Sequence, residues 1–164
     1  MSKWHFEKLL HNQGLDADVS LDDYAENFFL KGRTLYGPYW THLQDAWAYR
    51  HQSNFKFVWY EDMRSDLKSV IQDLAAFTGY ELSSEQVERL VQHCDIEKFK
   101  KNDAVNMKPP KGMVPDEVRQ KFNFIRKGKV GDWKSTIESE QMLQHFDAWI
   151  GENNTENIPI RYTE

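Results

Sequence analysis

Apolar side chains recur every three or four positions along much of this chain, which is the spacing of an amphipathic helix. Ser20 followed by Asp23 is a capping pattern that predicts the start of the first helix, and Gly32 predicts its end. The same kinds of signal predict further helices beginning at Pro38, near Leu67, at Ser83 and at Ser135, with a short helical turn near Ile96 and Phe99. The pattern therefore predicts a helix-rich chain.

One segment has a different pattern. Phe55 to Tyr60 is short, aromatic and β-branched, with apolar side chains on both faces, so we predict a strand buried in an α/β sheet. A lone strand leaves its backbone N–H and C=O groups unpaired, and the sequence thus predicts the later part of a larger fold. Prolines interrupt the helical pattern between Asn102 and Asn123, and we expect a polar, frayed tail over residues 151–164.

Composition narrows the class of protein. A chain of 164 residues with 40% hydrophobic and 14% aromatic residues suits one domain with a substantial core, which we place at residues 1–164. The net charge of −5 argues against a nucleic-acid partner. Cys94 is the only cysteine, which fits a reducing compartment. The sequence has no apolar signal segment and no stretch near the ~20 apolar residues of a membrane span, so we expect a cytoplasmic protein with no membrane partner.

Against this acidic background, residues 124–134 form a basic segment. It carries four positive side chains and two glycines, namely Arg126, Lys127, Lys129, Lys134, Gly128 and Gly131. Glycine lets backbone N–H groups approach a ligand, arginine matches a phosphate bidentately, and lysine adds a point charge. The chemistry is that of a phosphate or sulfate cradle, although a solvated basic loop is the commoner explanation of a turn with this composition.

A resemblance adds to this interpretation. Arg126-Lys127-Gly128 and Gly131-Asp132-Trp133-Lys134 are similar to the RKGxxGDWK signature of cytosolic sulfotransferases. Other segments that resemble the family are Tyr36 to His42 (YGxxxxH), Tyr60 to Met63 (YEDM), Val91 to Asn102 (VQHxSFxxMKxN) and Ser2 to Phe6 (SYYHF). The resemblance implies the C-terminal portion of an α/β, P-loop-kinase-like fold with a parallel sheet.

The resemblance also implies a donor site. In the family, these motifs bind the sulfate donor PAPS, which leaves as its desulfated product PAP. The positions that correspond to donor contacts are Ser2, Tyr60, Phe124, Ile125, Arg126, Lys127 and Gly128. Ser2 and Arg126 to Gly128 would hold the 3′-phosphate, and Tyr60 would lie near the adenine. The acceptor would be a small molecule with a hydroxyl or an amine.

Several family features differ here. The family's catalytic lysine and histidine lie upstream of the matched motifs and have no counterpart, so no residue is assigned a catalytic role and we expect the chain alone to be inactive. Cys94 and Ile96 stand where the family has a small hydroxyl residue and an aromatic beside the adenine, and neither replaces those contacts well. The dimer motif KxxxTVxxxE is kept only at Lys134, so a homodimer is possible but not predicted.

Three functions follow from these observations. The first is the donor-nucleotide half of a sulfotransferase, and the second is a truncated, non-catalytic nucleotide-binding or interaction paralogue. The third is a basic-loop nucleic-acid binder in which Trp133 stacks on a base, which the surrounding acidity disfavours. The scattered histidines show no metal-ligand spacing, and we predict no metal site.

Overall fold

A computed structural model describes residues 20–34, 37–106, 108–112, 114–125 and 127–161. They belong to two compact units, of which the first lies within Asp16–Phe57 and Gly131–Glu164 and the second includes Val58–Val130. In chain order the helices are α1 (Leu21–Tyr24), α2 (Tyr39–Ala48), α3 (Tyr60–Ser65), α4 (Leu67–Phe77), α5 (Ser84–His93), α6 (Ile96–Lys101), α7 (Asp116–Lys121) and α8 (Glu140–Asn153). A π-helical turn over Ala25–Phe29 continues α1, and a 3-10 turn covers Asp132–Ser135.

The predicted helix caps are largely confirmed. The Ser20 hydroxyl accepts the Asp23 N–H at 3.0 Å. Ser83 and Gln86 form a reciprocal capping box at the start of α5. These side chains satisfy N–H groups that have no partner within the helix, so the local sequence sets where these helices begin.

Aromatic packing dominates the first unit. Phe29, Tyr39, Trp40, Phe146 and Trp149 form a cluster in which the Trp40 and Trp149 ring centroids are 5.6 Å apart and those of Phe29 and Trp149 are 5.4 Å apart. Trp40 is only 4% exposed. The predicted apolar stripe of α2 is therefore a core face, and α8 supplies the other side of that core.

The C-terminal region of the first unit differs from the prediction. The last helix begins after Ser139, whose hydroxyl accepts the Met142 N–H at 3.2 Å, rather than after Ser135, which ends the 3-10 turn. The expected frayed tail is also wrong for the described residues as far as 161. Ile158 is 2% exposed, and its N–H and C=O bond the side-chain amide of Asn154 at 2.8 and 2.9 Å. A buried isoleucine thus anchors a segment that looks polar in sequence.

In the second unit, α4 contacts both α3 and α5. Val87, which is 1% exposed, and Ala75 supply buried apolar side chains from α5 and α4. On the surface, Lys68 Nζ lies 2.6 Å from Glu88 Oε1. The hydrogen bond to Glu88 and the negative charge of the Glu88 carboxylate raise the pKa of Lys68 above its ordinary value. Apolar side chains are therefore buried where α4 and α5 meet, and the ion pair between Lys68 and Glu88 joins the same helices at the surface.

The predicted strand at residues 55–60 is wrong. Residues 55–59 are neither helix nor strand, and Tyr60 already belongs to α3. Glu61 and Asp62 lie in the first turn of α3, where the helix dipole favours negative charge. Within the described ranges, β structure is limited to an isolated parallel bridge between Lys111 and Val114. The helix-rich character is confirmed, whereas the parallel sheet remains a prediction. The described helices include none long and apolar enough to cross a membrane.

Candidate functional site

The basic segment of residues 124–134 divides between the two units. Residues 124–130 belong to the second unit and residues 131–134 to the first. In the first unit, Gly131 has φ +76° and leads into the 3-10 turn, and Lys134 Nζ lies 5.8 Å from the centre of the Trp133 ring. In the second unit, the Phe124 side chain is 46% exposed and Lys127 is exposed as well. Of the residues matched to the nucleotide phosphate, the two that the structure describes, Lys127 and Gly128, lie in the second unit.

Gly128 is fixed by two independent constraints. Its φ of +60° lies in the left-handed region, which side chains other than glycine rarely adopt. A Cβ at this position would also lie 2.6 Å from Cδ1 and 2.8 Å from Cγ1 of Ile96. The sequence suggested that glycine here gives a ligand access to the backbone. The structure shows that the fold itself already requires glycine, because the backbone turns sharply against Ile96.

Asn106 holds the other end of this loop. It is 4% exposed and donates from Nδ2 to the Lys100 carbonyl at 2.8 Å and to Asn123 Oδ1 at 3.2 Å. Its Oδ1 accepts the Ile125 N–H at 3.0 Å. The backbone N–H of Asn106 in turn donates to the Asn102 carbonyl at 2.8 Å. One buried amide thus connects the end of α6 to the residue that precedes Arg126.

The bonds of Asn106 and the contact of Gly128 with Ile96 both attach the loop to the same short helix, α6. Ile96 is the first residue of α6, and Lys100 lies near its end. At 1.5 Å per residue these two positions are about 6 Å apart along the helix axis. Asp95 caps α6 by accepting the N–H groups of Glu97 and Lys98 at 3.0 and 3.2 Å. We call the segment 124–128 together with its two contacts, Asn106 with Ile125 and Ile96 with Gly128, the anchored loop.

The charges around the anchored loop are mixed. Lys98 and Lys101 are exposed on α6, whereas Lys100 pairs with Glu97 at 2.6 Å. Lys127 is exposed on the loop, and Lys129 is exposed directly after it. Contact between Ile96 and Gly128 brings these two lysine-bearing segments together. Solvated lysines near a glycine turn can attract an anion without burying a charge, which avoids a large desolvation cost.

The predicted site residues are only partly brought together. Phe124, Ile125, Lys127 and Gly128 lie in the anchored loop, and Tyr60 is 44% exposed at the start of α3 in the same unit. The backbone N–H of Ile125 is used by Asn106, so this amide is not available to a ligand. Ser2 and Arg126 lie outside the described residues.

Sequence reasoning missed Asn106 altogether. It lies in the irregular stretch between Asn102 and Asn123, where no period marks a buried position. The only signal there was the presence of asparagines, whose side chains commonly bond nearby backbone in turns. Within the described residues, no cluster of three or more histidine, cysteine, aspartate or glutamate side chains could hold a metal ion.

Comparisons with known proteins find sulfotransferases that are similar to this chain over most of its length. Sulfotransferase 1A1 of Mus musculus is 33% identical over 129 residues, which cover 77% of this chain and 42% of that protein. Luciferin sulfotransferase of Photinus pyralis is 32% identical over 154 residues, which cover 91% of this chain and 39% of the relative. A crystal structure of retinol dehydratase in a complex with retinol and PAP matches with a TM-score of 0.84 and 37% identity, covering 99% of this chain and 46% of that one.

The chain spans about half the length, or less, of these relatives. The Sulfotransferase domain family matches residues 1–157, which is nearly the whole sequence. The resemblance seen in the basic segment therefore extends along the chain and is accompanied by a shared fold. The chain belongs to the sulfotransferase domain family.

Proposed function

We propose that the anchored loop binds the 3′-phosphoadenosine part of PAPS, and that the chain forms the donor-binding part of a larger α/β domain. That domain would transfer sulfate to a hydroxyl or amine of a small acceptor. Arg126 would fork onto the 3′-phosphate, Lys127 would add positive charge, and the Gly128 amide would donate a hydrogen bond. Ser2, Tyr60 and Phe124 would complete the contacts to the nucleotide.

The contact between Ile96 and Gly128 carries this proposal. The family motifs assign the position of Ile96 to the adenine side of the donor and that of Gly128 to its phosphate side. These positions are far apart in sequence, yet a Cβ on Gly128 would lie 2.6 Å from the Ile96 side chain. Their proximity supports a single nucleotide that spans both positions.

The exposed groups of the loop also fit an anionic nucleotide. Phe124 is 46% exposed, and Lys127 is exposed as well. Ile125 contributes through its side chain, because Asn106 already accepts its N–H. A glycine turn flanked by cations and an aromatic ring matches the phosphate, ribose and base of an adenosine nucleotide.

Sulfuryl transfer needs chiefly positioning and positive charge, by analogy with phosphoryl transfer. An acceptor oxygen or nitrogen forms a bond to sulfur while the bond from sulfur to the 5′-phosphate oxygen breaks. The acceptor loses its proton, and PAP leaves with the electron pair of the broken bond. The residues of this chain would hold the 3′-phosphate, so that the sulfuryl group lies at a fixed distance from that anchor.

The names of the relatives support a small organic acceptor. Their names include retinol, luciferin and amine, and one structure holds androsterone, so small organic acceptors occur across the family. We propose the same class here. The single cysteine, Cys94, supports a reducing compartment such as the cytoplasm.

A second candidate is a nucleotide-binding module without turnover. The matched motifs carry donor-binding positions and no residue assigned to proton removal, which favours binding over catalysis by this chain alone. Incubation with PAPS and a phenol, amine or steroid acceptor tests this second candidate. We expect no sulfated product from this chain by itself, and product formation would exclude the non-catalytic module.

Titration calorimetry with PAP tests the donor site. Charge-assisted hydrogen bonds contribute roughly 1.5–3 kcal/mol each, so Arg126→Ala should weaken PAP binding roughly tenfold to a hundredfold. Lys129→Ala is the matched control, because it removes a like charge three positions away that the family motif does not assign to the donor.

The two variants together separate specific recognition from general attraction. A large loss with Arg126→Ala and a change below about threefold with Lys129→Ala supports a bidentate phosphate contact. Equal losses would indicate a diffuse basic surface, and unchanged affinity in both would remove the loop from the donor site.

A further inference from the structure

We propose that Asn106 is a positioning residue for the donor nucleotide, acting through the backbone of Ile125 rather than by touching the ligand. This inference rests on the proposed donor site. No family motif considered above contains Asn106, and the residue is 4% exposed. Its side chain forms three hydrogen bonds, at 2.8, 3.2 and 3.0 Å, to three different parts of the second unit.

The placement of these bonds gives Asn106 its effect. The Lys100 carbonyl lies in the last turn of α6, where carbonyls have no partner within the helix. Asn106 satisfies this group with Nδ2 and the Ile125 N–H with Oδ1. A single planar amide therefore fixes the distance between the end of α6 and the residue directly before Arg126.

A second contact, between Gly128 and Ile96, attaches the other side of the loop to α6. Gly128 rests on Ile96 at the start of α6, so the loop is attached on both sides of Arg126 and Lys127. Without Asn106, the loop would lose the bond that holds the Ile125 backbone. Ordering this side of the loop would then take place during binding and would reduce affinity, because each ordered residue costs backbone entropy.

The substitution that tests this inference is Asn106→Ala, and its matched control is Val87→Ala. Val87 is 1% exposed in α5 of the same unit and lies outside the anchored loop in sequence, so its truncation lowers stability without removing a bond from Asn106. At a temperature where both variants are folded by circular dichroism, we expect Asn106→Ala to raise the Kd for PAP on the order of tenfold. Val87→Ala should leave that Kd unchanged.

Hydrogen exchange of the free protein gives a readout that does not depend on the nucleotide. The Ile125 amide should exchange faster in Asn106→Ala than in the parent chain. The Tyr80 amide, which donates to the Ala75 carbonyl at 2.8 Å, should be unaffected. In the unsubstituted chain, PAP should slow exchange at Ile125 more than at Tyr80, and this measurement remains informative if Asn106→Ala fails to fold.

The outcomes are distinct. Equal Kd changes in both variants, or none in either, would overturn the role of Asn106 while leaving the donor site in place. Unaltered exchange at Ile125 on adding PAP, in a chain that binds PAP, would also overturn it. Absence of PAP binding by the unsubstituted chain would instead contradict the proposed donor site, and the nucleotide role of Asn106 would fail with it.

Discussion

The aromatic core of the first unit and the anchored loop of the second unit are held by different interactions. In the first, large aromatic rings from α2 and α8 pack together, with the Trp40 and Trp149 centroids 5.6 Å apart. In the second, the anchored loop depends on one buried amide, Asn106, and one close contact between Ile96 and Gly128. Aromatic packing spreads its stabilisation over many atoms, whereas the loop concentrates it in a few bonds. The difference predicts how much a single substitution costs in each of the two places.

The largest effect should come from breaking the aromatic core. Trp40→Ala removes a side chain that is 4% exposed and should lower the free energy of unfolding by about 3–5 kcal/mol. Tyr49→Ala, in the same unit at 51% exposure, is the control and should cost less than about 1 kcal/mol. Urea unfolding followed by circular dichroism gives both values. A small loss with Trp40→Ala would mean that aromatic packing does not hold this unit together.

A smaller effect should come from the turn of the anchored loop. Gly128→Ala places a side chain at φ +60°, which costs about 1–2 kcal/mol, and also against Ile96. Gly79→Ala is the control for the backbone cost alone, because its φ is +78° and nothing lies within 4 Å of the added Cβ. The difference between the two unfolding free energies measures the clash with Ile96.

The same pair of variants also tests the link to binding. Gly128→Ala should weaken PAP binding, whereas Gly79→Ala should not. Combining Gly128→Ala with Ile96→Ala should recover part of the lost stability, because the clashing atoms are gone. Strictly additive losses in the double variant would contradict the contact.

The smallest effect should come from an exposed helix cap, Asp66 at the start of α4, in contrast to the buried Asn106. The Asp66 carboxylate accepts the Ser69 hydroxyl at 2.6 Å and the Ser69 N–H at 3.0 Å, and these bonds lower the pKa of Asp66. Because the folded-state pKa is the lower one, the stabilisation is complete above the unfolded value of about 4. It is lost as the pH falls through the folded value.

Acid unfolding of Asp66→Asn checks this dependence. The stability difference from the parent chain should be constant near neutral pH and should shrink below about pH 4. A difference that grows as the pH falls would mean that the pKa is raised on folding.

The sequence predicts the helices and the motif better than the loop that joins them. Ser20 and Ser83 cap their helices by accepting the N–H group three positions further on, so both caps can be predicted from a short stretch of sequence. The apolar stripes that contain Trp40 and Trp149 follow helical spacing, so their burial is predictable. These features depend on positions close in sequence, and the structure confirms them.

The features that the sequence did not predict depend on contacts between distant residues or on competing local signals. Residues 55–60 have strand composition, but the acidic start of α3 and the lack of a paired strand in the described ranges give an irregular segment. Ser135 and Ser139 both resemble caps, and the left-handed turn at Gly131 assigns the first to a 3-10 turn. Asn106 pairs with Ile125, nineteen positions away, and no local pattern indicates that bond.

The bonds from Asn106 to Asn123 and Ile125 have one more consequence. They bring together the two ends of the intervening stretch, residues 107–122. Changes within that stretch need not be transmitted to the anchored loop, because its ends are held next to each other. Doubling its length would add only about 0.6 kcal/mol of closure entropy. Insertions and substitutions in this stretch should therefore leave the position of Ile125 unchanged.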